Sequence, residues 1–266
     1  MARRAWILLV LAPALMAADG APELLTAARK GQTEKVAELL AKGASIETAD
    51  KNGRTPLMLA AQKGHADTVK LLLSKGAQSE ARDREGWTAF GLAVFASGDG
   101  QEAVMNVLPK QKPLSLFLET TWTPDNLYSS CFMSPPQLAQ HLAGIQPNAQ
   151  VTAAIREYAS FHGKGLVEFA AAEPGDAVVR VKVRPGASCL QQQSADQLSL
   201  AIDVRMVRSR NQAPMLEKTF GGGLKGLHAR TVTSPAQYAT LLGEWAKSHA
   251  GSIYWAVVEA WLRGEQ

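Results

Sequence analysis

Apolar and polar positions follow two rhythms along the chain, and the rhythm changes near residue 110. Before that point apolar residues recur three and four apart. Val36, Leu39 and Leu40 stand this way, as do Val69, Leu72 and Leu73, and Val104, Val107 and Leu108. Such spacing places one apolar stripe on a helix. Each stripe follows a shorter stretch rich in small residues: Leu24, Ala27 and Ala28, then Ala60 and Ala61, then Phe90 and Ala93. Gly31, Gly43, Gly64 and Gly76 close the stretches and predict left-handed helix ends. Thr55-Pro56 predicts a helix start, because proline's missing N–H costs nothing in the first turn.

After residue 110 the period becomes two. Leu114 to Thr120 and Leu166 to Ala170 read as strands. Val179, Val181 and Val183 alternate with Arg180, Lys182 and Arg184. Leu198, Leu200, Ile202, Val204 and Met206 alternate with Ser199, Ala201, Asp203 and Arg205, and Met215 to Phe220 adds a further strand. Each long strand has one wet and one dry face, which predicts an antiparallel sheet with helices on one side. Helix starts are read at Ser134-Pro135-Pro136-Gln137 and Ser234-Pro235-Ala236-Gln237, where Ser precedes Gln by three. Asn148 is expected to cap a helix through Tyr158 that carries Val151 and Ile155. Tyr238, Leu241, Leu242 and Trp245 form another stripe, which Gly251 is expected to stop before a last helix over Ser252 to Arg263. The region holds 13 of the 17 aromatic residues, enough for a core of its own. The order, a helix pair and then a strand meander, loosely resembles small α+β domains of bacterial envelope proteins, in topology alone.

Self-comparison of the first region finds a fixed step of 33 residues. It relates Asp50 to Asp83, Gly20 to Gly53 and Gly86, and Ala27 to Ala60 and Ala93. The middle unit, DKNGRTPLMLAAQKGHADTVKLLLSKGAQSEAR (Asp50–Arg82), closely resembles the ankyrin-repeat consensus, whose period is also 33. The fold class expected is therefore an α solenoid of three ankyrin repeats over 19–109, followed by an α+β domain with an antiparallel sheet over 110–266. Three departures stand out. Met58 replaces the consensus His, two extra residues fall around Ser97-Gly98-Asp99-Gly100, and the third unit ends in Pro109 and Pro113. A solenoid unit cannot bury its faces alone and about three are the minimum, so the array needs a cap, expected from the rest of the chain.

Residues 1–18, MARRAWILLVLAPALMAA, have a basic start, an apolar stretch from Ala5 to Leu15 and small residues at the end. This is the layout of a signal peptide, and it predicts a periplasmic or secreted protein without a transmembrane anchor after cleavage. Export gives the two cysteines, Cys131 and Cys189, a compartment in which they can bond. Closing their 59-residue loop restricts the unfolded chain by about 4 kcal/mol at most. The 28 basic and 24 acidic residues give a net charge of +4, and losing Arg3 and Arg4 leaves about +2. That is too small for a nucleic-acid-binding footprint.

His65, His141, His162, His228 and His249 form no H-x-H or H-E-x-x-H pattern, so neither a metal nor another cofactor is expected. Gly221-Gly222-Gly223-Leu224-Lys225-Gly226 lacks the order of a phosphate-binding loop and reads as a mobile loop, and no G-x-S-x-G elbow occurs. No catalytic residue is assigned, and the protein is not expected to be an enzyme. The ankyrin resemblance implies partner contacts at the turn tips and inner helices. It maps them to Lys51, Asn52, Arg54, Gln62, Lys63, Arg82, Arg84 and Trp87, with Glu85, Arg29 and Lys30 beside them. The set is mostly basic although Asp19–Leu108 holds 11 basic and 12 acidic residues, and Arg and Trp dominate binding hot spots. The leading expectation is an exported module binding an acidic protein partner. The alternatives are a small-ligand or envelope-component binding protein with its site in 110–266, and an enzyme with a non-standard site there. Mass spectrometry of the native protein is expected to find an N-terminus near Ala18 or Asp19. Non-reducing peptide mapping of the same sample is expected to find Cys131 linked to Cys189. Intact Met1 in the cytosol, or two freely alkylated thiols, would contradict the reading.

Overall fold

The computed structural model describes residues 20–122, 146–171, 175–185, 197–228 and 235–264. Residues 1–18, the helix start at Ser134–Gln137, Cys131 and Cys189 lie outside the described residues. The chain divides into two compact units. One runs up to Gln111 and takes in residues from Leu262 onward; the other is Lys112–Trp261.

The first unit is a stack of helix pairs: α1 (Ala21–Arg29) and α2 (Thr33–Ala41), α3 (Pro56–Gln62) and α4 (Ala66–Ser74), α5 (Ala89–Phe95) and α6 (Gln101–Val107). Most residues of the stripes read from the sequence form its core, with Leu40, Leu73 and Val107 only half-buried. Leu24, Ala28, Val36, Ala60, Val69, Leu72, Ala93 and Val104 are buried. Each Val or Leu buried this way contributes about 1.5–3 kcal/mol. Thr55 caps α3 with Oγ1 accepting from the Met58 N–H at 3.4 Å, and Thr88 caps α5 by accepting from the Gly91 N–H at 3.2 Å. Gly64 has φ +78°, and the α-carbon of Gly100 lies 3.1 Å from where its Cβ would stand. The left-handed turn and the close approach of the next repeat both require glycine there. Met58 is buried among apolar neighbours. The two extra residues lengthen the connection between α5 and α6. Gln101, buried at its end, donates from Nε2 to the Gln62 carbonyl at 3.0 Å and so ties that connection to α3.

The second unit has strands β1 (Leu114–Trp122), β2 (Val167–Phe169), β3 (Ala177–Pro185), β4 (Gln197–Arg208) and β5 (Pro214–His228). Helix α7 (Pro147–His162) separates β1 from β2, and α8 (Pro235–Arg263) follows β5. The sheet order is β2-β1-β3-β4-β5. The antiparallel arrangement holds for β3–β4, with Val181 opposite Val204, and for β4–β5, with Ile202 opposite Phe220. β1 instead lies parallel to both its neighbours, with Leu116 opposite Phe169 and Leu118 opposite Val179, so the sheet is mixed. The dry faces of β1, β3 and β4 pack on Val151 and Ile155 of α7 and on Leu242, Trp245 and Ile253 of α8. Helices thus cover one face, as the alternation implied.

Three local expectations change. Gly251 does not stop a helix; α8 is continuous over 29 residues. A Cβ at Gly251 would lie 2.8 Å from Cε2 of Tyr158, so the glycine makes room for that ring. Asn148 is inside α7 rather than its cap, and its Nδ2 donates to the Thr120 carbonyl at 3.4 Å. Gly221-Gly222-Gly223 is not a loop but part of β5, opposite Ala201, Leu200 and Ser199. A Cβ on Gly221 would stand 2.9 Å from the Leu200 carbonyl oxygen, which explains a small residue in a strand.

The outward face of the sheet pairs part of its charge across strands. Arg180 Nε donates to Glu119 at 3.0 Å. Arg184 grips Asp203, with Nη2 to Oδ1 at 3.0 Å, and Thr219 Oγ1 donates to the same carboxylate at 2.8 Å. Asp203 pairs with the basic stripe through Arg184 rather than through Lys182 directly opposite. The hydrogen bonds from Arg184 hold the Asp203 carboxyl below the ordinary range. A depressed carboxylate contributes stability above its unfolded pKa near 3.9 and loses it as pH falls through the folded value. Asp203→Asn should therefore destabilise the chain at pH 7 by about 0.5–1 kcal/mol, discounted for solvent screening because both partners are about one-third exposed. Urea denaturation should show this difference steady from pH 7 to about pH 5 and shrinking toward zero below about pH 3.

Candidate functional site

The turns between repeats are built by one residue type at one register. Asp50 and Asp83 each close a hairpin turn: the Asp50 N–H donates to the Arg54 carbonyl at 3.0 Å, and the Asp83 N–H to that of Trp87 at 2.9 Å. Asp50 Oδ1 accepts from the N–H groups of Asn52 (2.8 Å) and Arg54 (3.0 Å). Asp83 Oδ1 accepts from those of Glu85 and Trp87, both at 2.9 Å. A short carboxylate folding back on its own turn is why Asp recurs there.

Arginines then join one turn to the next. Arg54 Nε donates to Asp83 Oδ2 at 3.1 Å, and Arg29 lies 3.6 Å from Asp50 Oδ2. The Arg84 N–H donates to the Asn52 carbonyl at 3.0 Å. The Asp83 side chain is fully buried and that of Arg54 only 18% exposed, so Arg54 is committed to holding the stack. Arg82 is occupied too: Nη1 donates to the carbonyls of Gly86 (2.6 Å), Leu262 (3.1 Å) and Arg263 (2.9 Å).

Trp87 is not an exposed anchor. It is 6% exposed, with its ring centroid 5.3 Å from that of Phe95 and the Arg263 guanidinium 4.8 Å above it. It stands 33 residues after Arg54, at a register position that is half-buried in the preceding repeat too. Reading that position as a free tip missed the neighbours that cover it. Asp83, Phe95 and Arg263 are the residues that sequence reasoning left out. Only Asp83, one period after Asp50, carried a signal.

Lys51, Asn52 and Arg84 are exposed on adjacent turn tips. Gln62 and Lys63 lie at the far end of α3, a seven-residue helix about 10 Å long. Gln62 is half-buried and Lys63 exposed; Lys63 caps the helix through its backbone N–H. Lys30 and Glu85 are exposed as well. Among the described residues no acidic side chain forms an ion pair with Lys51, Lys63 or Arg84.

Among the described residues His65, His162 and His249 have structural partners. His65 Nε2 donates to the Arg29 carbonyl at 3.0 Å, and His249 Nδ1 lies 2.9 Å from the Trp245 carbonyl. His162 stacks on Tyr158, whose hydroxyl accepts from Trp255 Nε1 at 3.0 Å. Tyr254 donates to the Gly163 carbonyl at 2.7 Å, and burial, with Tyr158 nearby, pushes its hydroxyl up to about 12. That hydroxyl stays protonated at neutral pH, as its donor role requires. No group of His, Cys, Asp or Glu among the described residues is placed to hold a metal ion. No helix among them is long and apolar enough to cross a membrane.

Paired helices stacked at a fixed period and joined by Asp-closed turns define a helical repeat array. Residues 24–113 match the family model for ankyrin repeats, in three copies, so the array is an ankyrin-repeat array. No curated protein matches the chain. Ankyrin repeats are non-catalytic protein–protein interaction modules, and the chain carries one.

Trp87→Ala is expected to destabilise the chain by about 3 kcal/mol, as for other buried Trp truncations, rather than to leave folding intact. A shift in the urea midpoint of the full chain would show it. A midpoint shift worth less than about 1 kcal/mol would return Trp87 to the surface set.

Proposed function

We propose that the repeats bind an acidic protein partner through Lys51, Asn52 and Arg84 on the turn tips, with Lys63 at the end of α3. We place this interaction in the periplasm or another extracytoplasmic space. The observation that carries the reading is the division of labour among the cations. Arg29 and Arg54 are bound to carboxylates of the array itself and Arg82 to the carbonyls of Gly86, Leu262 and Arg263, whereas Lys51, Lys63 and Arg84 form no ion pair among the described residues. The basic start and apolar stretch of residues 1–18 support the compartment. Exposed cations steer an acidic partner more than they tighten its final complex.

Affinity capture from an extracytoplasmic extract tests the reading, with wild type beside a Lys51→Glu/Lys63→Glu/Arg84→Glu triple variant. The variant should fold normally, associate with the captured partner roughly tenfold more slowly at low salt, and lose most of the salt dependence. Equal rates for both proteins at every salt concentration would sink the proposal.

A further inference from the structure

The third repeat poses a physical problem that the first two do not. Repeat two is covered by repeat three, whose Asp83 receives Arg54 and whose Arg84 N–H bonds the Asn52 carbonyl. Repeat three has no fourth unit to receive its own turn. One period beyond Asp83 stands Leu116, which belongs to β1. An uncovered terminal repeat exposes apolar surface, and arrays need a cap there.

Residues 262–264 occupy that place. The carbonyls of Leu262 and Arg263 are among the helix-end carbonyls that lack an intrahelical partner. Both accept from Arg82 Nη1, which also holds the Gly86 carbonyl of the third turn. The Arg263 guanidinium lies over Trp87, at the register position where repeat two carries Arg54. Leu262 is buried. The fit is close: a Cβ at Gly86, where φ is +85°, would stand 2.5 Å from the Arg263 carbonyl oxygen, and one at Gly264 would stand 3.1 Å from Arg82 Nη1.

We infer that residues 262–264 are a releasable cap that substitutes for a fourth repeat and sets the order of the third. Arg82 is the clasp. Its side chain is exposed, so water can replace the clasp's hydrogen bonds. Opening the clasp frees the third turn and uncovers Trp87 without breaking the Asp83–Arg54 link beneath. Order in the third repeat therefore becomes a separately adjustable property of the array.

Hydrogen exchange of the full chain tests this, read by peptide in wild type, Arg82→Ala and Arg263→Ala. In Arg82→Ala, amides over 83–95 should exchange at least about tenfold faster while those over 24–40 keep their wild-type rates. Arg263→Ala, which keeps both carbonyls but loses the guanidinium over Trp87, should give a smaller increase in the same peptides. Unchanged exchange over 83–95 in Arg82→Ala overturns the inference. An equal increase over 24–40 and 83–95 also overturns it, because Arg82 would then support the whole array rather than a local closure.

Discussion

A carboxylate with no solvent exposure sets the terms for the first unit. Asp83 is buried, and a buried charge is tolerated only when it is paired and hydrogen-bonded. Its two oxygens take the N–H groups of Glu85 and Trp87 and the guanidinium of Arg54. One residue thereby folds its own turn and receives the preceding repeat. Removing Arg54 would leave the charge stranded, which costs far more than an exposed ion pair yields. The turn that carries Arg84, and the tie between the second and third repeats, both serve to satisfy that carboxylate.

The second unit solves a different problem. Both described helices lie on one face of the sheet, so the other face must be stable in contact with water. It achieves this by matching charge across strands, with Glu119 on Arg180 and Asp203 on Arg184. A basic stripe along β3 that looks like an anion-binding surface is thus partly spent on its neighbours. In the first unit, by contrast, Lys51, Lys63 and Arg84 form no ion pair among the described residues.

The repeat was legible because its signal is redundant: a period, four glycines and three apolar stripes all agree. The strands of the second unit were legible for the same reason, since alternation survives in any sheet. Strand direction was not. Leu114, Leu116 and Leu118 face the core identically whether β1 runs parallel or antiparallel to β3. Gly251 and Gly221 misled because a glycine that makes room for a distant side chain or strand looks in sequence like one that ends an element. Trp87 misled for a related reason. The 33-residue register gives the position of a residue on its own repeat, but not what a segment 176 residues later lays over it. Long-range contacts leave no trace in local pattern.

The ring of Tyr158 against Gly251 has an evolutionary consequence. Glycine inside a helix costs about 1 kcal/mol relative to alanine, so a 29-residue helix has a standing incentive to lose it. A methyl there would force the Tyr158 ring to shift. The two positions are therefore bound to one another across 93 residues of sequence. A lineage that enlarges residue 251 must first shrink residue 158, and in doing so gives up the hydroxyl that accepts from Trp255. In related chains a side chain at residue 251 should not occur opposite a ring at residue 158.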